Sequence, residues 1–344
     1  MSANGTIGKL PSVSVVLVTK GHHKDAEAAV ASILESPYPG DSLEIVVVEE
    51  TEEPKPIVES KVKYHTIPVR NLGVGYARNQ GVSHAMGDVI VFTDDDCIVD
   101  KDWLKEIVRP LVENADAEAT AGAVLVPKCG LIGQCENILG FPGGGLKYIH
   151  RSAGKIIPMD TFSTCNCAVR RYLRNVSFRF SEKFMYAGED ELLSRAISAK
   201  SPILYNPEAK VIHKPRDSFI GVFKWFVRRG QARVEMLQHE EYRKDLLLSM
   251  LYTSQLLRLL LVVVCCLVFD MPVGGVLAAL LLLYYLSVIW RHVWALTHNS
   301  GWLVLCVLPL VKATMDAGMD VGIARTLIAG ETFYEKNNDA KRSG

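Results

Sequence analysis

The sequence has no excess of either charge, since 38 lysines and arginines balance 38 aspartates and glutamates in 344 residues. A protein that binds nucleic acids usually carries surplus cations that neutralise phosphates. The composition therefore excludes a bulk electrostatic attraction to nucleic acids, and we expect no nucleic-acid partner. The length also excludes a single small module, which favours one large domain with an appendage or two domains.

Cysteines are few and scattered. Eight occur in the chain, and no two of them have the Cys-x-x-Cys spacing of a metal site. This pattern does not indicate a disulfide framework, so we interpret the cysteines as reduced thiols of a protein on the cytoplasmic side of a membrane. Residues 1–11 form an N-terminal tail without the apolar core of a signal peptide. We therefore expect the domain that follows not to be exported.

Charged residues become rare after Leu246. As far as Val311 they are limited to Arg258, Asp270 and Arg291, whereas the preceding part of the chain alternates charged and apolar stretches. A soluble domain does not sustain an apolar region of this length. The sequence therefore predicts a soluble front followed by a membrane-embedded back.

The apolar region divides into segments of membrane-spanning size. Residues 246–269 and 273–290 each approach the roughly 20 residues that a bilayer core requires. A third segment begins at Trp302 and continues through charged positions, as either a third span or a membrane-surface helix. We predict a multi-pass membrane domain of two or three helices over residues 246–330 and a polar tail at 331–344.

Basic residues flank the predicted spans and indicate their orientation. Arg243 and Lys244 precede the first span, and Arg291 follows the second. Because cytoplasmic flanks of membrane helices are enriched in lysine and arginine, we expect the front domain to be cytoplasmic. Residues 216–245 mix large aromatic and basic side chains, which is typical of an amphipathic helix or linker at a lipid interface.

The soluble front follows a strand-helix-strand pattern. Continuous β-branched runs at 12–18, 44–48 and 88–92 predict buried strands, and helical patterns separate them. Such alternation produces right-handed βαβ units. We therefore predict an α/β domain with a mostly parallel sheet over residues 12–215.

Polar residues follow each predicted strand. Thr19 ends the first, Glu49 and Glu50 end the second, and three consecutive aspartates from Asp94 to Asp96 end the third. Ligands of open α/β sheets bind beyond the carboxyl ends of the strands, so we expect these side chains to converge on one crevice. Three adjacent carboxylates repel one another unless a divalent cation relieves the repulsion, and hard oxygen ligands suit Mg²⁺ or Mn²⁺. The alternative is an acidic, solvated turn or helix cap.

A second acidic cluster begins a predicted helix. Glu189 and Asp190 follow Gly188, and a carboxylate at this point could accept a proton from an attacking hydroxyl. Acids in the first turn of a helix also complement its dipole without any chemical role. The two interpretations remain open from these residues alone.

Four segments resemble, in order and spacing, the successive motifs of family 2 glycosyltransferases. They are the glycine-rich Asn71–Gly81, the strand and aspartates at Val89–Cys97, the segment Ser163–Arg171, and Gly188-Glu-Asp190. The resemblance implies a nucleotide-sugar-binding fold of the A type, an inverting mechanism and a divalent metal. It also implies a nucleotide-sugar donor, UDP- or GDP-linked.

The resemblance assigns roles to residues by motif position. Asp190 would be the catalytic base, and Asp94 and Asp96 would be metal ligands. His213 follows an apolar pair and is a candidate third ligand or a structural histidine. The residues implied to bind the nucleotide sugar are Thr19, Glu49, Glu50, Arg78, Asp94 and Asp95.

The acceptor side has three further candidates. Glu189, Arg228 and Arg229 are candidates for contacts with the acceptor or the diphosphate. Basic residues beside a membrane more often meet anionic head groups, so the two arginines have an alternative interpretation.

Together these features predict a membrane-anchored, metal-dependent inverting hexosyltransferase on the cytoplasmic leaflet, with membrane lipids as its surroundings. We expect transfer to a hydroxyl of a lipid-linked saccharide or glycolipid, because a hydroxyl needs the base that Asp190 would supply. The alternative is a polyprenyl- or dolichyl-phosphate glycosyltransferase, whose ionised acceptor needs no base. A binding protein without turnover and a membrane nucleotidyltransferase are two further alternatives.

Overall fold

The computed structural model describes residues 10–174, 176–269, 272–298 and 300–329. The predicted tail at 331–344 and the turn residue Asp270 lie outside the described residues. The chain divides into two compact units. The first unit comprises Met1–Pro127, Pro142–Met185 and Glu189–Lys214, and the second comprises Lys128–Phe141, Tyr186–Gly188 and Pro215–Gly344.

The first unit is built on a single twisted sheet. Its strands alternate with helices at first, as the β-branched runs predict, and later strands follow without that regular alternation. Among the described residues the strands are β1 (Val13–Thr19), β2 (Leu43–Glu50), β3 (Val62–Ile67), β4 (Val89–Asp94), β5 (Cys97–Val99), β6 (Ala119–Leu125), β7 (Ile157–Met159), β8 (Asn166–Arg170) and β9 (Ile203–His213).

The helices belong to both units. Among the described residues they are α1 (His23–Leu34), α2 (Val74–His84), α3 (Trp103–Glu113), α4 (Leu131–Ile138), α5 (Gly145–Ser152), α6 (Glu189–Ser198), α7 (Phe219–Met236), α8 (Glu240–Thr253), α9 (Gln255–Val268), α10 (Val273–His292) and α11 (Trp302–Ala329).

The sheet is parallel in its first half and mixed in its second. Its strand order is β3-β2-β1-β4-β8-β6-β9-β5, with β7 paired to β9. The neighbours β2, β1 and β4 are parallel, as predicted, and β3, which the sequence pattern does not predict, adds a further parallel strand beside β2. Beyond them β8 is antiparallel to both β4 and β6, while β9 is parallel to β6. The predicted mostly parallel sheet is therefore a mixed α/β sheet, because β8 enters between β4 and β6 in the opposite direction.

Two apolar layers cover the sheet. Successive side chains of a strand face opposite sides, so Val15 and Leu17 pack in one layer while Val16 packs in the other. The first layer includes Trp103 of α3, and the second includes Leu193 of α6. With both faces buried, the strands take continuous apolar sequences and leave their polar residues to the strand ends.

The second unit contains helices of membrane-spanning character. Val273–His298 and Trp302–Ala329 are, among the described residues, long and apolar enough to cross a membrane. The helical segments Tyr242–Met250 and Gln255–Val268 would add a third span if they are taken together, although they meet at a bend of 58°. The count agrees with the prediction of two or three spans.

The predicted first span, 246–269, is two helices instead of one. Ser254 separates them, and its Oγ accepts a hydrogen bond of 3.2 Å from the backbone N–H of Leu257. Asp320 of α11 accepts another, of 2.9 Å, from the N–H of Leu256. These two acceptors satisfy donors that a new helix start leaves unpaired, so α9 begins at this point.

The predicted interface helix packs against the last helix through glycines. A Cβ added to Gly318 or Gly322 of α11 would press on backbone atoms of α7, and one added to Gly230 of α7 would press on α11. Gly318 lies against Phe223, whereas Gly322 lies against Val227, so the two helices run in the same direction. The glycines allow this close approach because they carry no side chain.

Candidate active site

The three aspartates at the end of β4 have different partners. Asp95 accepts a hydrogen bond of 2.6 Å from the Thr19 hydroxyl, and its carboxylate lies 3.3 Å from His22 Nδ1. Because β1 and β4 are parallel neighbours, Thr19 and the aspartates lie at the same edge. Burial raises the pKa of Asp95, and the charges of Asp94 and Asp96 also raise it.

His213 faces the other two aspartates. Its Nε2 is 3.5 Å from Asp96 Oδ1 and 3.9 Å from Asp94 Oδ2. The pairing of Cys97 in β5 with His213 in β9 carries the histidine to this place. Its Nδ1 lies 2.9 Å from the carbonyl oxygen of Lys214, which can only accept a hydrogen bond. A ring that donates its Nδ1 proton to this oxygen would leave the Nε2 lone pair available to a cation held by the acids.

This group of donors fits a divalent cation. Asp96, Cys97 and His213 have ligand atoms within 4.8 Å of one another. Burial raises the pKa of Cys97 well above its usual value, and a thiol is a poorer match than an oxygen ligand for a hard cation such as Mg²⁺ or Mn²⁺. The residues that could hold the cation are therefore the carboxylates of Asp94 and Asp96 and the imidazole of His213.

The acids at the end of β2 are engaged by side chains of the same unit. Glu49 pairs in register with Thr19, and its carboxylate accepts a hydrogen bond from the Tyr64 hydroxyl. Burial, together with Glu49, raises the pKa of Tyr64 to about 12, so the phenol remains a donor. Glu50 lies 2.9 Å from Lys20 Nζ. Both glutamates thus lie at the predicted edge, each with a protein partner.

Arg78 joins the aspartates to the second acidic cluster. One of its guanidinium nitrogens lies 3.1 Å from Asp94 Oδ1, and another forms an ion pair with Glu189 at the start of α6. The side chains of Arg78 and Glu189 are 8% and 2% exposed, so this pair is shielded from water. Burial raises the pKa of Glu189, as does the charge of Asp190, against the opposing effect of Arg78.

Asp190 lies in the same neighbourhood with its orientation fixed. It accepts hydrogen bonds from the backbone N–H groups of Thr164, at 3.4 Å, and of the next residue in its own helix, at 2.8 Å. Burial raises the pKa of Cys165 beneath the site, and the charges of Asp94, Asp190 and Asp96 raise it further. The charges of the predicted base and of the two aspartates predicted as metal ligands therefore all act on this one buried thiol.

The two predicted arginines belong to the second unit. Arg228 lies over the ring of Tyr186, 4.6 Å from its centroid, and Arg229 lies over Phe141 at 5.2 Å. Both contacts are of the cation–π type, which holds a guanidinium in place without neutralising its charge.

Three residues of the site region were missed by the sequence analysis. His22 lies three positions after Thr19, and that proximity could have identified it. Cys97 directly follows the aspartates and could have been identified in the same way. Tyr64 lies in β3, a strand that the hydrophobic pattern does not predict, so the sequence contained no comparable signal for it.

Residues 14–172 match the model of glycosyl transferase family 2. This part of the chain is a family 2 glycosyltransferase domain. A solved mannosyltransferase from Pyrobaculum calidifontis, in complex with GDP-Man and Mn²⁺, is similar with a TM-score of 0.58 at 15% identity, over 94% of this chain and 89% of that one. At this identity the likeness shows the fold, which is the A-type fold of nucleotide-sugar-dependent glycosyltransferases.

Two curated relatives match parts of this chain. A glucosyl-dolichyl phosphate glucuronosyltransferase of Haloferax volcanii is 36% identical over 55 residues, which are 16% of this chain and 18% of that protein. A probable N-acetylgalactosaminyltransferase 7 of Caenorhabditis elegans is 33% identical over 118 residues, 31% of this chain and 19% of that protein. The chain spans less than one fifth of the length of either relative.

Proposed function

We propose that this protein is a membrane-anchored, metal-dependent inverting glycosyltransferase. It transfers a sugar from a nucleotide-sugar donor to a hydroxyl of a lipid-linked saccharide or glycolipid at the cytoplasmic leaflet. The observation that carries the proposal is the position of Arg78, which contacts Asp94 on one side and Glu189 on the other. Through this residue the donor-binding acids and the residue next to the base belong to one connected site.

The donor half of the proposal rests on the cation-binding group. Asp94, Asp96 and His213 would hold a divalent cation, which when bound supplies positive charge to a departing diphosphate. The imidazole nitrogen among the donors favours Mn²⁺ over Mg²⁺, because Mg²⁺ strongly prefers oxygen ligands. Thr19 and the glutamates of β2 lie at the same edge of the sheet and would contact the nucleoside.

The acceptor half rests on Asp190. Two backbone hydrogen bonds fix its carboxylate, so one oxygen can be aimed at an incoming hydroxyl with little loss of entropy. Asp190 would accept the hydroxyl proton while the acceptor oxygen attacks the anomeric carbon from the face opposite the diphosphate. Attack from that face inverts the anomeric configuration.

The membrane half supports a lipid-linked acceptor. Two described helices are long and apolar enough to span a bilayer, and Arg243 and Lys244 precede the hydrophobic region on the flank expected to be cytoplasmic. The name of the Haloferax volcanii relative combines a glucuronosyltransferase activity with glucosyl-dolichyl phosphate, which is a lipid that already carries a sugar. A sugar hydroxyl as nucleophile agrees with the presence of a base.

The test compares Asp190→Asn with the wild type in detergent-purified full-length protein. Released nucleoside diphosphate is measured with Mn²⁺, a panel of UDP- and GDP-sugars, and a polyprenyl-diphosphate-linked saccharide as acceptor. Loss of a general base should reduce turnover by about 10²- to 10⁴-fold, while donor binding measured by titration calorimetry persists. The exposed Asp160→Asn is the matched control and should retain full turnover.

Other outcomes identify the alternatives. Full activity of Asp190→Asn toward the saccharide acceptor would contradict the assignment of the base. Transfer to polyprenyl phosphate that does not depend on Asp190 would favour a lipid-phosphate glycosyltransferase. Release of pyrophosphate in place of nucleoside diphosphate would indicate a nucleotidyltransferase.

A further inference from the structure

The second unit contains a cleft of about 540 Å³ between α7 and α11. One wall is apolar and comes from α7, where Phe219, Phe223 and Val227 recur every four residues along one side. Ile220 lies beside them and is 68% exposed, and Phe219 is 40% exposed. Several large apolar side chains that are exposed next to one another indicate a surface that an apolar partner covers.

The cleft lies beside the glycine contact between the two helices, because Val227 both lines the cleft and meets Gly322. The helices approach closely at Gly230 and Gly322, and the cleft opens on the flank of that contact. On α11 its lining residues Thr314 and Arg325 lie eleven positions apart, or about 16 Å along the helix. A cleft whose lining residues span this distance has the length that several isoprene units of a hydrocarbon chain require.

The remaining lining is cationic. Lys224 and Arg228 lie one turn apart on α7, and Arg325 comes from α11. No carboxylate occurs among the described residues that line the cleft. Like charges one turn apart on a helix repel each other, so a bound anion would stabilise this arrangement. Because the helices are parallel and Gly322 lies opposite Val227, Arg325 and Arg228 lie toward the same end.

We propose that this cleft binds an isoprenoid lipid that carries a terminal phosphate or diphosphate. The cations bind the phosphate oxygens, and the apolar wall of α7 contacts the first isoprene units. Three cations without a carboxylate match a multiply charged phosphate better than the single charge of a phospholipid phosphodiester. The inference rests on the proposed function, to which it adds the place where the acceptor lipid is held.

The test uses full-length protein in phosphatidylcholine nanodiscs, without any nucleotide sugar. The probe is a benzophenone analogue of geranylgeranyl diphosphate, and mass spectrometry locates the cross-links. The variant Lys224→Gln/Arg325→Gln should reduce labelling by about tenfold or more, since each basic residue adds attraction to a phosphate. The matched control Arg243→Gln/Lys244→Gln removes two charges from the neighbouring helix α8 and should label within about twofold of the wild type.

The expected cross-links lie in α7 or α11, and unchanged thermal melting of both variants shows that they fold. Equal labelling of the cleft variant and the wild type would overturn the proposal. Competition by phosphatidylglycerol as strong as by unlabelled probe would overturn it in favour of bulk lipid, and equally strong competition by pyrophosphate would overturn it in favour of a free anion.

The labelling is independent of sugar transfer. Asp190→Asn should label as the wild type does, because that residue takes no part in lipid binding. If the wild type labels as expected but transfers no sugar to any lipid-linked saccharide, the proposed function fails while the assignment of the cleft stands. If the wild type transfers sugar but the cleft does not label, the assignment of the cleft fails while the proposed function stands.

Discussion

Replacement of Arg78 by methionine should destabilise the first unit strongly. The methionine side chain retains much of the volume but leaves Glu189, which is 2% exposed, without its cation. Its Oε2 is buried without a hydrogen-bond partner among the described residues, so the ion pair is its main compensation. Breaking a buried ion pair from one side costs about 3–5 kcal/mol. For a domain of this size that corresponds to a fall in melting temperature on the order of 10 °C.

The assay is thermal unfolding of the full-length protein in detergent, followed with a matched control and a double variant. The control Arg179→Met removes an exposed ion pair with Glu182, at 2.9 Å, and should cost about 1 kcal/mol or less. Glu189→Gln removes the charge that Arg78→Met leaves unpaired. The variant Arg78→Met/Glu189→Gln should therefore melt above Arg78→Met alone, because the two changes are coupled.

The same pair predicts a dependence on pH. The pKa of Glu189 is raised in the folded state, so between its ordinary value and its folded value the folded protein binds more protons than the unfolded protein. Stability contributed at this residue therefore falls as pH rises through that interval. Arg78→Met raises the pKa of Glu189 further, because it removes the cation that opposes the effect of burial. The loss of stability of Arg78→Met relative to the wild type should therefore grow from pH 5.5 to pH 8. In the double variant Arg78→Met/Glu189→Gln this dependence on pH should disappear.

Two results would refute this reasoning. One is a melting temperature of Arg78→Met that matches the Arg179→Met control. The other is a deficit of Arg78→Met that stays constant with pH while the double variant melts no higher. Either result would mean that Glu189 reaches water or another cation when Arg78 is removed.

Two further predictions concern the cation and the helix contact. His213→Ala should raise the Mn²⁺ concentration for half-maximal turnover by about tenfold or more, whereas His23→Ala should leave it unchanged. Gly322→Leu should lower stability by about 1–3 kcal/mol or more, because its side chain would collide with the carbonyl oxygen of Val227. The measurement is thermal melting, and the control is Gly274→Leu, which should lower stability less because a Cβ at that position meets no atom within 4 Å.

Strands β1, β2 and β4 of the parallel half were predictable because each is a continuous apolar, largely β-branched run, whereas β3 is interrupted by Lys63 and His65 and was not predicted. The acids at the strand ends were predictable for the same reason, since a parallel sheet gathers the carboxyl ends of its strands at one edge. The antiparallel strand β8 was not predicted, because its five residues Asn166–Arg170 show no long apolar run. Its presence makes the sheet mixed.

The contacts that complete the site depend on tertiary pairing. Arg78 and Glu189 are 111 residues apart in the chain, so no local pattern relates them. His213 meets Asp96 because Cys97 pairs with His213 across two strands, and that register is a property of the folded sheet. The break at Ser254 was missed for a different reason, because the three polar residues from Thr253 to Gln255 lower the mean hydropathy of a long apolar segment only a little.

The glycine-rich motif at the start of α2 explains how the two halves of the site are held together. A Cβ on Gly73 would collide with the carbonyl oxygen of Phe184, and one on Gly75 with that of Ser181, while Gly73 also has a φ of +90° that favours glycine. Asn79, in the same motif, donates a hydrogen bond of 2.9 Å to the carbonyl oxygen of Phe180.

The backbone that leads toward Asp190 therefore lies directly on the helix that carries Arg78. Glycines before a helix often leave room for a phosphate, but here protein backbone fills the space that a Cβ would take at both positions. The motif thus acts by packing against the chain segment that precedes α6 and holding it in position. This packing allows Arg78 to contact both Asp94 and Glu189. Because Asp190 follows Glu189, the position of the proposed base depends on the same arginine that contacts an acid proposed to hold the donor.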